Sequence, residues 1–242
     1  MNLYHYASPV TFYHLAGKLI PWFAWSAGLC TLAGLYISFF VAPTDFQQGE
    51  AYRIIFIHVP AAWMSMFIYL IMAFWGAIGL AFNTRMSFMM ARALAPTGAL
   101  FTFIALWTGA WWGKPMWGAW WVWDARLTSE LILLFLYVGI IALWAAIDDV
   151  RRGDRAGALL TLIGAINVPI IYFSVKWWNT LHQGASIKPS GTSMDDAMLQ
   201  GMLIMAFASW FYTIAVALYR VRGLILERER QAEWVKAILE RN

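Results

Sequence analysis

The chain has 242 residues, 62% of them hydrophobic and only 12% charged; a soluble domain carries about a quarter charged residues, so a water-facing globule is excluded in favour of a membrane-embedded bundle of packed helices. The net charge of +4 and pI near 9.3 do not point to nucleic acid, because the positive residues are spread as a topology signal and not gathered into a patch. A single cysteine, Cys30, excludes a disulfide framework or a thiolate metal cluster within one chain, and no Cys-x-x-Cys-His is present for covalent haem attachment.

A helix needs about 20 mostly apolar residues to cross the hydrocarbon core. Six runs qualify, at about 19–41, 54–82, 93–111, 128–147, 157–178 and 197–219. The first, Leu19 to Val41, reads as an uncleaved helix and not as a signal peptide, and His5 and His14 precede it as ordinary solvated residues. The second is longer than a span requires, so its opening stretch, Ile54 to Pro60, is placed at the interface ahead of the span proper. In the fourth, Glu130 sits near the start, where it pairs with Arg126 or faces water. Asn167 and Pro169 interrupt the fifth, where proline removes a backbone donor and kinks the helix. Gly76, Gly79, Gly139 and Gly164 permit close helix approach. Leu224 to Asn242 reads as an amphipathic helix on the cytoplasmic face. The prediction is an all-α membrane protein of six transmembrane helices, with residues 1–242 as one integral-membrane domain.

Loop charge sets the orientation. Lys18, Arg85, Arg92, Arg151, Arg152, Arg155, Arg220, Arg222, Arg228, Arg230, Lys236 and Arg241 fall on one side, and Arg53, Lys114, Arg126, Lys176 and Lys188 on the other. Twelve against five predicts both termini in the cytoplasm, leaving the loops 42–53, 110–128 and 177–196 outside.

The outer face collects the unusual residues. Seven tryptophans lie between Trp107 and Trp123. A tryptophan taken singly is an interfacial anchor, but seven exceed what anchoring requires. If the run after Gly113 is helical, Trp117, Trp120, Trp121 and Asp124 share one face at i, i+3, i+4 and i+7, with Trp123 beside them. That face is an aromatic platform ending in a carboxylate, suited to a large planar ligand. His58, at the start of the second span, and His182, just after the fifth, map to the same side. Either alone is read as a histidine satisfied by a carbonyl or carboxylate. Together, two imidazoles and an aromatic platform match a six-coordinate haem iron with two axial histidines. Arg53, Lys114, Arg126 and Lys176 are candidate propionate partners, Arg53 first among them, although each singly reads as a snorkelling charge.

The run Trp117-Gly118-Ala119-Trp120-Trp121-Val122-Trp123-Asp124-Ala125-Arg126 resembles the tryptophan-rich signature of the haem-handling family of membrane proteins in cytochrome c biogenesis. Three further stretches make the chain similar to the haem exporter protein C group of that family, from the bacterial multi-component maturation system. They are Tyr52-Arg53-Ile54-Ile55-Phe56-Ile57-His58-Val59-Pro60, Trp111-Trp112-Gly113-Lys114-Pro115-Met116, and Trp177-Trp178-Asn179-Thr180-Leu181-His182-Gln183-Gly184. The resemblance covers nearly the whole chain. It implies haem b bound non-covalently at the periplasmic tryptophan-rich loop, with His58 and His182 as axial ligands, in a protein of the bacterial inner membrane. It implies delivery of that haem to a periplasmic membrane-anchored haem chaperone, and no enzymatic activity of its own. It also implies work alongside an ABC-type ATPase, its permease subunit and a small single-span membrane protein. No Walker motif is present, so ATP hydrolysis is assigned to another chain.

Three other classes fit less well. A b-type haem electron carrier buries its histidine pairs within the spans, whereas both candidates here sit at one surface. A haem-attaching synthetase carries additional histidines. A solute transporter calls for an ionisable cluster at mid-membrane, and apart from the broken fifth span none is evident.

Overall fold

The computed structural model describes residues 8–182, 184, 187–188 and 191–240. His5, Gln183 and Arg241 lie outside them. The order is α1 (Pro9–Tyr36), α2 (Ile55–Phe82), α3 (Arg85–Trp117), α4 (Ala125–Ala146), α5 (Val150–Gly164), α6 (Asn167–Trp177), α7 (Asp196–Arg228) and a short α8 (Glu233–Leu239). Ile187–Lys188 pairs antiparallel with Gly191–Thr192 ahead of α7. Among the described residues, six helical segments are long and apolar enough to cross a membrane, as the composition requires.

The helices overrun the apolar runs at both ends. α3 has 33 residues, a length of about 50 Å against a hydrocarbon core of about 30 Å. Arg85 and Arg92 therefore belong to its first turns, and Lys114 to its last. α7 likewise carries Arg220, Arg222 and Arg228 within the helix. α1 starts at Pro9, where a proline in the first turn forfeits no helical hydrogen bond. It closes in a π turn over Ile37–Val41. Ile54 to Pro60 is helical and continuous with the span that follows it. A 3₁₀ turn at Glu50–Ile54 runs straight into α2, whose Phe56 and Pro60 are buried.

The fifth span does break at its asparagine and proline. α5 ends at Gly164 and α6 begins at Asn167, which puts Pro169 at the third position of α6, where a helix has a spare N–H. Asn167 Nδ2 donates to the Ser129 carbonyl at 2.9 Å, tying α6 to α4. α2 sits centrally against α3, α5 and α7, around a core that includes Tyr69, Met72, Tyr137, Ile140 and Ile171. Gly164 admits the Tyr69 hydroxyl into space that a Cβ would fill, and Gly76 lies against Ala158; Gly139, by contrast, faces open space and mediates no approach. α1 packs on α7 and leaves Trp22, Trp25, Leu32 and Phe40 exposed, a face suited to lipid.

The C-terminal segment differs from a single amphipathic helix. α7 continues to Arg228, and α8 folds back so that Val235 is buried and Trp234 meets the Tyr13 ring at 5.7 Å. The start of α1 and the end of α7 thus share one end of the bundle. The loops after α1, α3 and α6 share the other.

Candidate functional site

The sequence places His58 in the first turns of α2, beneath the last turns of α3. Its Nδ1 lies 3.0 Å from the Ala105 carbonyl and 3.0 Å from the Thr108 hydroxyl. A carbonyl only accepts, so Nδ1 carries the proton and Nε2 carries the lone pair. Gly109 comes next on the same face, where a Cβ would stand 3.1 Å from His58 Cε1.

His182 lies beyond α6 in a non-helical segment, where its backbone N–H donates to the Thr180 hydroxyl at 3.1 Å. The fold brings the two histidines together. Their ring centres are 6.3 Å apart with planes inclined at 33°. Metal–imidazole bonds of about 2 Å on either side of one iron would put ring centres about 6 Å apart. Both rings line one cavity that opens to solvent, along with Trp112, Trp117, Arg126 and Glu130. A cavity bounded by aromatic walls, two imidazoles and a guanidinium can take a planar, anionic, metal-bearing ligand.

The tryptophan-rich loop is not one helical face. α3 stops at Trp117 because Gly118 takes a left-handed conformation (φ 76°), its N–H returning to the Lys114 carbonyl at 3.1 Å. Residues 119–124 are non-helical, so the i, i+3, i+4, i+7 register never forms. Trp117 alone of the predicted platform lines the cavity, 6.5 Å from the His182 ring and nearly perpendicular to Trp112 at 5.0 Å. Trp120 packs edge-on against Trp111, and Trp121 against Trp123, which is 78% exposed. Asp124 is the N-cap of α4; one of its carboxylate oxygens accepts from the Leu127 N–H at 2.8 Å. The other oxygen and the Trp121 indole N–H are buried without a hydrogen-bond partner among the described residues.

Among the cations, Arg126 is the one that lines the cavity, donating also to the Ile171 carbonyl at 2.8 Å. Lys114 is exposed at the end of α3 and reaches the Gly118 carbonyl at 3.2 Å. Lys176 lies over the Phe173 ring, 5.7 Å from its centre. Arg53 closes the loop between α1 and α2. It donates to Glu50, to the Ser38 carbonyl and to the Ala42 carbonyl, while Tyr52 donates to the Pro43 carbonyl at 2.6 Å.

Three side chains take places around the cavity that sequence reasoning did not assign to them. Glu130 neither faces water nor forms an ion pair with Arg126 among the described residues; it is 7% exposed, lines the cavity and shares a 2.7 Å hydrogen bond with Ser65. Trp112 donates at 2.8 Å to Gln48 in the loop before α2, bracing α3 against that loop. Thr108 backs His58. The spacing of Thr108 and Gly109, one turn beyond Ala105, was the available signal.

The family model described as Heme exporter protein C matches residues 2–236. Among curated relatives, the Heme exporter protein C of Escherichia coli (strain K12) is 49% identical over 238 residues, covering 98% of this chain and 96% of that protein. That of Bradyrhizobium diazoefficiens is 48% identical over 229 residues, covering 94% and 87%. That of Paracoccus denitrificans is 40% identical over 234 residues, covering 96% and 97%.

Proposed function

This chain belongs to the haem exporter protein C family, and on that premise we propose that it binds haem between His58 and His182 and passes it on for cytochrome c maturation. The observation that carries it is the meeting of two imidazoles at 6.3 Å across a shared cavity, with Nδ1 of His58 bound to a carbonyl and Nε2 therefore carrying the lone pair. Among the described residues no group of three or more metal-ligating side chains occurs. The pair suits an iron that arrives with its own equatorial ligands.

The cargo is haem b, held non-covalently. Arg126 is the cation best placed for a propionate, ahead of Arg53 and Lys114, because it lines the cavity. Trp117 supplies wall area, whereas Trp120, Trp121, Trp123 and Asp124 form a rim. The exposed rim members, Trp120 and Trp123, can meet both the porphyrin edge and a receiving protein. The distribution of Lys and Arg supports a periplasmic position for this end of the bundle, in the bacterial inner membrane. The receiver is then a membrane-anchored periplasmic haem chaperone. The ATPase, permease and small single-span subunits act as partners, and the whole chain works as one non-enzymatic haem-handling domain.

The test is the visible absorption spectrum of the detergent-purified protein beside His58→Ala and His182→Ala. The expected result is a low-spin haem spectrum that weakens or shifts in both variants. The same spectrum in all three would place the ligands elsewhere and overturn the assignment.

A further inference from the structure

The end of the bundle opposite the histidines holds a second recess, with about 890 Å³ of empty space between the early turns of α3 and the last turns of α4 and α7. Pro96, Ile141, Ala145 and Leu224 give it apolar walls, and Arg92 and Arg220 give it two guanidinium groups. Arg92 is fixed in place. Its Nε donates to Asp154 at 2.8 Å, and its guanidinium lies 5.1 Å from the centre of the Trp144 ring. The second oxygen of Asp154 is occupied by Arg228 at 2.8 Å.

Arg220 has no such anion. It is half-buried and donates to the Thr97 hydroxyl at 2.6 Å and the Ala93 carbonyl at 3.3 Å, both neutral. Among the described residues no carboxylate lies within 4.0 Å of it. Glu227 lines the recess but is exposed and makes no ion pair with Arg220. A guanidinium lodged against apolar walls on a membrane helix calls for a counter-anion.

We propose that this recess binds an anionic phospholipid, its phosphate between Arg220 and Arg92 and its acyl chains along Pro96, Ile141 and Leu224. Apolar walls beside paired arginines fit an amphiphile better than a free ion. The charges around the recess are Arg92, Arg220 and Arg228 against Asp154 and Glu227, a positive excess that disfavours a headgroup bearing its own ammonium. Nothing in this inference depends on the histidine cavity.

The experiment is native mass spectrometry of the full chain purified in neutral detergent and equilibrated with equal phosphatidylglycerol and phosphatidylcholine. Wild type is compared with Arg220→Gln and with Ala145→Trp, which fills the recess and leaves both arginines. Wild type is expected to retain phosphatidylglycerol preferentially. Arg220→Gln is expected to cut that retention by about tenfold, a loss on the scale of one charge-assisted hydrogen-bonded contact, and Ala145→Trp to lower it as well. If Arg220→Gln fails to fold, Ala145→Trp decides. Equal retention of the two lipids by wild type, or undiminished phosphatidylglycerol in the folded variants, overturns the proposal. Displacement of the lipid by millimolar inorganic phosphate would make this a free-anion site and overturn the lipid assignment.

Discussion

Thr108 backs His58: its hydroxyl donates to the Ile104 carbonyl at 2.6 Å and stands 3.0 Å from Nδ1 of the imidazole. The hydroxyl proton is directed to its own helix, so the oxygen accepts at His58 alongside the Ala105 carbonyl. Thr108→Val removes one of two acceptors while preserving shape. Loss of an outer partner of a metal-bound histidine costs about 10–100-fold in affinity, and with Ala105 still in place the expected loss of haem affinity is about tenfold or less. Haem titration of the stripped protein reads this, with His58→Ala as the reference for complete loss. Equal losses in the two variants would show that Thr108 holds up the helix and not the ring.

Gly109→Ala would set a methyl 3.1 Å from His58 Cε1. That is tighter than most such contacts, so the ring must give way by a few tenths of an ångström. The expected outcome is a normally folded protein with weakened or spectrally shifted haem. Gly28→Ala is the control, since no atom lies within 4 Å of its would-be Cβ, and the substitution should be neutral or stabilise α1 by about 0.5–1 kcal/mol. Matching spectra for the two alanine variants would remove Gly109 from the site.

Arg53 connects α1 to α2 through the carbonyls of Ser38 and Ala42. Arg53→Ala leaves buried acceptors unpaired and is expected to lower stability by about 2–3 kcal/mol, while haem bound per folded molecule stays within about twofold. Scanning calorimetry and a haem-to-protein ratio on the folded fraction separate the two effects. Loss of haem at an unchanged thermal midpoint would make Arg53 a direct propionate contact instead.

Asp154 is 3% exposed and neutralises Arg92 on α3 and Arg228 on α7. Breaking a buried ion pair by removing one partner costs about 3–5 kcal/mol, so Asp154→Ala should be among the most destabilising single changes in the chain. The folded fraction should keep a wild-type haem spectrum, because the histidines lie at the far end. A changed spectrum would reveal coupling between the two ends.

The centres of the six spans were legible because a 20-residue apolar run has few other readings. Their ends were not. α3 and α7 carry arginines within regular helix, and a charged residue on a protruding turn looks the same in sequence as one in a loop. The meeting of His58 and His182 was legible because both fall at the same ends of alternating spans, where residues scarce in the chain and expensive near lipid stand out. The platform was misread although its signals were present: Pro115 near the end of α3, glycine at the left-handed position 118, and an aspartate where α4 needs a cap. Glu130 was invisible for a different reason. Its burial depends on Ser65, a serine within an apolar run that gives no hint of which helix it faces.

His58 belongs to α2, and His182 follows α6 on the far side of the fifth span's break. No partly folded stretch of the chain carries both. Under the proposed ligand assignment, tight capture of haem would therefore wait until α2 and the segment after α6 have come together at one end of the bundle.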